Sequence, residues 1–318
     1  MHQAKLMAGG LRQFLVFTAW MVVVAPRPAT AAEPIPNIGP AEGVVKVATG
    51  FGFTEGPAWD GKALLYFTDI PNARIHTVNA AGETAVFVEE SGPCNGLMFS
   101  REGELIACNM GGQLVAWNVA TKEKRVLARE FEGKRFNAPN DLVIDAAGGI
   151  YFTDPMFRAP QPLPQRVQGV YYRSADGKVT RVVGDAPAPN GVLLSLDEKT
   201  LYVLPSMSAE MRAYPVEAPG ELGVMRVFCK VKNPRGRDNG GCDGATIDEH
   251  GNLYLTTALG LQVFSPSGEA LGMIEVPEQP SNCTFGGPDG KTLYVTARTS
   301  LYSFKMLVKG HWYAQGKQ

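Results

Sequence analysis

Six stretches of this 318-residue chain begin alike and keep nearly the same internal spacing. They open with Glu55-Gly56-Pro57, Cys94-Asn95-Gly96, Pro139-Asn140-Asp141, Pro189-Asn190-Gly191, Cys242-Asp243-Gly244 and Ser281-Asn282-Cys283. With Glu55, Asn95, Asn140, Asn190, Asp243 and Asn282 as anchors, the separations are 40, 45, 50, 53 and 39 residues. Such periods suit one propeller blade per repeat. Ten or eleven residues after each anchor comes a β-rich run, as in Leu65-Tyr66-Phe67-Thr68, Ile150-Tyr151-Phe152-Thr153 and Leu293-Tyr294-Val295-Thr296. Turn signals such as Asp60-Gly61 and Asp289-Gly290 lie between anchor and run, so each unit starts as a hairpin.

A third β-rich run follows in every repeat and a fourth in the first five, ending with the stretch 271–276. The sixth repeat lacks its own fourth run, and an open strand edge is an association hazard. The strand-like stretch 44–47 ahead of the first repeat is available to cover it. The expected fold is therefore all-β: a six-bladed propeller over residues 44–308, four antiparallel strands per blade, its last blade closed by the N-terminal strand. Two stacked β-sandwiches would leave the sixfold constant spacing unexplained. The 36 glycines and 23 prolines agree with many turns between short elements.

Lys5 and Arg12 precede an apolar run at 14–25, followed by Pro26, Pro28 and Ala29-Thr30-Ala31. Charge, apolar core and small residues in that order predict a secretory signal peptide over 1–31, cleaved after Ala31. The run is shorter than a membrane span, which needs about 20 residues. A buried first helix or an uncleaved anchor is the alternative. The expected product is periplasmic or secreted, without stable membrane insertion after cleavage, with a linker at 32–43 and a tail at 309–318. With 30 Lys+Arg against 31 Asp+Glu and no basic run, the chain offers no field for nucleic acid. Five cysteines, an odd number with no tight spacing, support neither a zinc ribbon nor a redox motif, and buried free thiols are expected of Cys94, Cys242 and Cys283, with pairing near the mouth as the alternative. A monomer and a dimer are both compatible with the sequence.

In a propeller, equivalent positions at the start of the innermost strands form a ring at one mouth of the central channel. Here that ring reads Glu, Asn, Asn, Asn, Asp, Asn. For Asn95 and Asn282 a turn-opening role competes with a place on the substrate rim. Glu55, Asn140, Asn190 and Asp243 present only hard oxygen donors, which suits Ca²⁺, with Mg²⁺, Mn²⁺ or Zn²⁺ as alternatives. A cation would also offset repulsion between Glu55 and Asp243.

The stretches Thr54-Glu55-Gly56-Pro57-Ala58-Trp59, Leu65-Tyr66-Phe67-Thr68-Asp69-Ile70-Pro71-Asn72, Asn137-Ala138-Pro139-Asn140-Asp141-Leu142, Tyr151-Phe152-Thr153-Asp154-Pro155, Pro189-Asn190-Gly191 and Asn282-Cys283-Thr284-Phe285-Gly286-Gly287 resemble the gluconolactonase/senescence-marker-protein (regucalcin)/luciferin-regenerating-enzyme family, above all its bacterial gluconolactonase branch. The resemblance implies a six-bladed propeller, one divalent cation at the centre of one face, and hydrolysis of lactones or related esters. It places the cation on Glu55, Asn140, Asn190 and Asp243, and it implies a substrate- or water-orienting role for Asn140. Two stretches depart from the pattern. Cys108-Asn109-Met110 stands where an acidic residue and His are usual, and Leu204-Pro205-Ser206 where a small residue and Asp or Glu are. Both bear on substrate choice more than on the metal.

On this resemblance the expected activity is that of an exported metal-dependent lactonase acting on a sugar lactone such as gluconolactone, with a small-molecule lactone or ester as its partner. The cation polarises the carbonyl and Asp243 is the candidate general base. A neighbouring dication lowers the basicity of that carboxylate, so Asp243 either leaves the metal or shares the proton with bound water. A non-catalytic Ca²⁺-binding propeller and a phosphotriester hydrolase on the same metal site are the alternatives. His76, His250 and His311 are expected on the surface or in packing, and Asp69 and Asp154 in structural hydrogen bonds. Trp59, Phe99, Ile144, Leu194 and Ile247, each four residues after an anchor, are expected between blades.

Overall fold

Strands covered on both faces are written as short apolar runs, and the second strand of each repeat carries such a run. Leu65–Asp69, Leu105–Asn109, Ile150–Asp154 and Leu253–Thr257 are buried along their whole length. In a computed structural model describing residues 34–236 and 240–313, these strands sit inside four-stranded antiparallel sheets arranged as the blades of a six-bladed propeller. The expected leader and its cleavage point lie outside the described residues. From the channel outward, blade 1 is Thr54–Trp59, Leu65–Asp69, Arg74–Val78 and Thr84–Val88, and blade 2 is Cys94–Phe99, Leu105–Asn109, Gln113–Trp117 and Lys124–Ala128. Blade 3 is Leu142–Ile144, Ile150–Asp154, Gly169–Arg173 and Val179–Val183. Blade 4 is Pro189–Leu194, Thr200–Pro205, Glu210–Ala218 and Arg226–Lys230, its long third strand also pairing with Glu221–Leu222. Blade 5 is Cys242–Ile247, Leu253–Thr257, Gly260–Phe264 and Ala270–Ile274.

Blade 6 joins Pro280–Gly286, Thr292–Ala297 and Ser300–Lys305 to Val45–Thr49, with Val45 opposite Ser303 and Thr49 opposite Ser300. The ring is thus closed by the N-terminal strand, as the missing fourth run of the sixth repeat required. Outer strands such as Lys124–Ala128 begin with exposed charged residues, which blunts their free edges. A hairpin of Glu130–Phe131 and Lys134–Arg135 is inserted between blades 2 and 3. The segments beside the ring are tied to it. Ile35 and Ile38, within the stretch read as a linker, are buried against blades 5 and 6, and Ala41 N donates to Lys305 O at 2.7 Å. At the other end His311 N donates to Ile247 O at 3.0 Å and Trp312 Nε1 to Phe285 O at 3.0 Å.

Candidate active site

The strand ladder breaks at or beside the anchors where they reach the channel: Asn95, Asn190 and Asp243 fall in the gaps, while Glu55 and Asn282 still pair with Thr68 and Thr296 at their edges. Pairing between first and second strands is interrupted between Glu55 and Ala58, Cys94 and Leu97, Pro189 and Gly191, Cys242 and Ala245, and Pro280 and Asn282. Such bulges free a residue from the ladder and re-aim its side chain. In blade 3 the innermost strand starts only at Leu142, two residues after Asn140. The glycine that follows several anchors has a steric cause. A Cβ on Gly56, whose φ is +47°, would stand 2.1 Å from Asn95 O, and one on Gly244 would stand 2.1 Å from Asn282 Cγ. Neighbouring innermost strands therefore approach more closely than any side chain there would allow.

Beside the anchors, hydrogen bonds join every pair of adjacent blades. Thr68 Oγ1 donates to Asn95 O at 3.1 Å, Gly96 N to Asn140 O at 2.8 Å, and Val192 N to the Asp141 carboxylate. Ser206 Oγ donates to Cys242 O at 2.9 Å, Thr256 Oγ1 to Ser281 O at 2.9 Å, and Ser281 Oγ to Thr54 O at 2.7 Å. These bonds lie in buried or half-buried surroundings, where an unmade hydrogen bond is costly. They hold the ring of anchors to one geometry.

Glu55, Asn95, Asn140, Asn190 and Asp243 all line one cavity of about 620 Å³, together with Ser206. Asn282 differs from the other five anchors. It borders a separate cavity of about 570 Å³ with Asp141; its Oδ1 accepts from Cys283 N at 2.8 Å, and its carboxamide donates to the carboxylates of both Glu55 and Asp141. Asn282 thus braces Glu55 instead of facing a ligand in the first cavity. Asn190 donates Nδ2 to Ser206 Oγ at 2.9 Å and also donates to Asp243.

Burial and crowding of negative charge dominate the electrostatics. Glu55 is held well above the usual carboxylate range, first by burial and then by the charge of Asp243. Asp243 is pushed up to about 7, first by burial and then by Asp141, against the pull of the Asn190 hydrogen bond. Asp141 is pushed up to about 7 by burial. Among the described residues no three His, Cys, Asp or Glu side chains form a metal-ligating group. The cavity instead combines two carboxylates with carboxamides, an all-oxygen set that fits a hard divalent ion and not a thiolate-seeking one. A cation there would relieve the crowding that raises both pKa values.

The remaining expectations can be placed around this cavity. Asp69 accepts from Gly52 N at 3.0 Å and Phe53 N at 3.1 Å; Asp154 accepts from Asn137 N at 2.8 Å and Ala138 N at 2.7 Å. Each aspartate therefore holds the backbone two and three residues ahead of its own blade's anchor. His76 is buried and stacked on Phe67, and burial lowers its pKa. All five cysteines are buried free thiols. Trp59, Ile144, Leu194 and Ile247 are buried and Phe99 packs beside Tyr66, as expected between blades. Sequence reasoning missed Phe157 and Arg158, which reach the cavity from the long loop of blade 3. It singled out Met110 and Ser206 only as departures, and both line the cavity.

Residues 53–299 match the family described as the SMP-30/Gluconolactonase/LRE-like region. The gluconolactonase of Zymomonas mobilis is 31% identical over 279 residues, covering 79% of this chain and 78% of that protein. Regucalcin of Sus scrofa is 28% identical over 250 residues, covering 76% and 82%. Among solved structures, a gluconolactonase from Xanthomonas campestris superimposes with a TM-score of 0.77 at 27% identity, covering 89% of this chain and 99% of the other. With that match spanning most of a chain folded into six blades, the protein belongs to the SMP-30/gluconolactonase/LRE-like family.

Proposed function

We propose that this protein is an exported hydrolase that opens sugar lactones with the help of one divalent cation, calcium before magnesium, manganese or zinc, held by Glu55, Asn140, Asn190 and Asp243. The observation that carries this reading is the convergence of those four oxygen-bearing side chains on one 620 Å³ cavity. The 31% identical gluconolactonase supports a lactone hydrolase. When bound, the cation supplies Lewis acidity to the carbonyl oxygen. Asp243 accepts a proton from water as the water oxygen bonds to the carbonyl carbon. The ring C–O bond then breaks, and the ring oxygen takes up a proton as the leaving hydroxyl. One water is consumed and one hydroxy acid released. Asn140 orients the lactone or the attacking water, and Asn190 is kept in register by Ser206. Asn95 lines the same cavity and stands at the substrate rim, where it would meet the sugar hydroxyls.

The test is hydrolysis of glucono-1,5-lactone by purified residues 32–318, stripped of metal and then supplied with Ca²⁺, Mg²⁺, Mn²⁺ or Zn²⁺. Turnover is expected only with a cation. Equal turnover in protein shown to be metal-free by elemental analysis would remove the cation from the mechanism, and no turnover under any condition would remove the hydrolase. Export is tested separately. Expressed with its own leader in a bacterium, the chain should be recovered outside the cytoplasm beginning at Ala32; a mature protein that still begins at Met1 would overturn it.

A further inference from the structure

Among the described residues, the cavity carries one cationic side chain whose role the hydrolysis reading does not use. Two carboxylates, Glu55 and Asp243, and one guanidinium, Arg158, line it among those residues. Arg158 is exposed and forms no ion pair or side-chain hydrogen bond among the described residues. It is nonetheless positioned. Its neighbours Phe157 and Ala159 pack with Phe53 against Ile70, Met110 and Ala138, and Ala159 N closes a turn on Met156 O at 3.0 Å. Arg158 has a φ of +58°, a region that a side-chain-bearing residue enters at a cost. The loop is tied down further along, where Gln165 N donates to Asn137 Oδ1 at 3.0 Å and Gln165 Nε2 to Lys134 O at 2.7 Å.

We infer that Arg158 is a specificity-determining residue that selects lactones bearing an anionic substituent, a carboxylate or a phosphate, away from the reacting carbonyl. The inference rests on the hydrolase reading above. Once a dication offsets Glu55 and Asp243, the positive charge of Arg158 remains as the net charge of the described lining. A site of that charge favours a monoanion over a neutral sugar lactone. The planar guanidinium pairs with carboxylate or phosphate through two parallel hydrogen bonds, and among the described residues it has no competing partner. Apolar Phe53, Ile70, Met110 and Phe157 line the same cavity, and they suit the carbon face of a sugar ring. The reacting carbonyl belongs to the oxygen-donor ring and the anionic group to the loop.

The experiment compares kcat/KM, at saturating Ca²⁺, for glucono-1,5-lactone, glucaro-1,4-lactone and 6-phosphoglucono-1,5-lactone in the wild type, Arg158→Gln and Arg158→Lys. The wild type should prefer at least one of the two anionic lactones about tenfold or more, as expected of a charge-assisted pair. Arg158→Gln should lose that preference and Arg158→Lys should keep part of it; which anionic lactone is preferred tells carboxylate from phosphate. No preference in the wild type, or an equal loss on neutral and anionic lactones in Arg158→Gln, would overturn the inference, the latter by placing the arginine at the reacting carbonyl. If no lactone is turned over, the hydrolase reading falls. Calorimetric binding of glucarate against gluconate then decides the charge selection: a wild-type preference for glucarate lost in Arg158→Gln supports it, and equal affinities overturn it. Matching thermal melts of the three proteins exclude misfolding as the cause.

Discussion

Asn190 gives its carboxamide N–H groups to Ser206 Oγ, at 2.9 Å, and to Asp243, which leaves its carbonyl oxygen without a partner among the described residues and able to serve as a donor to a cation. Ser206 in turn donates to Cys242 O across the seam between blades 4 and 5. The serine therefore sets which end of the Asn190 amide meets the cavity, an outer-sphere contribution of the kind that tunes metal sites. Ser206→Ala should weaken Ca²⁺ binding about three- to tenfold, the worth of one net hydrogen bond, with kcat recovering at high Ca²⁺. Calcium titration by calorimetry checks it; an unchanged affinity would show that Asn190 is oriented without the serine.

Glu55 and Asp243 are separated by role through their amide variants. Asp243→Asn keeps an oxygen of nearly the same shape but cannot take a proton at neutral pH, so kcat should fall by about 10² or more at saturating metal. Glu55→Gln removes the same charge without removing the base, and its activity should largely return as Ca²⁺ is raised. Equal, fully rescuable defects in both variants would reduce Asp243 to a ligand.

The blades were legible because burial on both faces favours an apolar run, as in the first three residues of Leu65–Asp69 and of Leu253–Thr257, and such runs stand out in a chain punctuated by glycine and proline. The closing strand was legible from a deficit, the missing fourth run of the sixth repeat. Asn282 was not, because its spacing equals that of the other anchors, and only the fold shows its amide spent on Glu55 and Asp141. The hairpin Glu130–Phe131 with Lys134–Arg135 is short and mostly exposed, so it carries no periodic pattern. Arg158 reaches the cavity through the path of a loop, which no local pattern encodes.

The raised carboxyl pKa values give the metal-free protein an unusual pH dependence. Asp141, Asp154 and Asp243 are each pushed up to about 7, with burial the largest cause in every case. In the unfolded chain an aspartate titrates near about 3.9, so between these values the folded protein holds protons that the unfolded chain has released. Stability is then greatest below the unfolded value and is lost as pH rises through the folded one. Without cations, Tm should fall between about pH 4 and 7. Calcium competes with protons at Asp243 and Glu55, so its affinity should rise over the same window and saturating Ca²⁺ should flatten the fall. Thermal melts across pH, with Ca²⁺ or with a chelator, check both; a metal-free Tm that rises from pH 4 to 7 would contradict the burial account.

The paired aspartates of blades 1 and 3 make a differential prediction. Asp154 receives Asn137 N and Ala138 N, residues with no solvent exposure, whereas Asp69 receives Phe53 N and the N–H of exposed Gly52. Removing Asp154 strands two buried donors, each costing about 1–3 kcal/mol, while water can replace Asp69 at Gly52. At about 2–4 °C per kcal/mol for a domain of this size, Asp154→Ala should lower Tm by roughly 5–15 °C, and Asp69→Ala by clearly less. Because Ala138 lies two residues before Asn140, Asp154→Ala should also lower kcat in protein that remains folded at the assay temperature. Asp154→Asn keeps one acceptor oxygen and should fall between the alanine variant and the wild type. Melts of the three variants together with their turnover of glucono-1,5-lactone decide it: equal losses at Asp69 and Asp154, or a destabilised Asp154→Ala with unchanged kcat, would show that this aspartate holds the blade together without setting the position of Asn140.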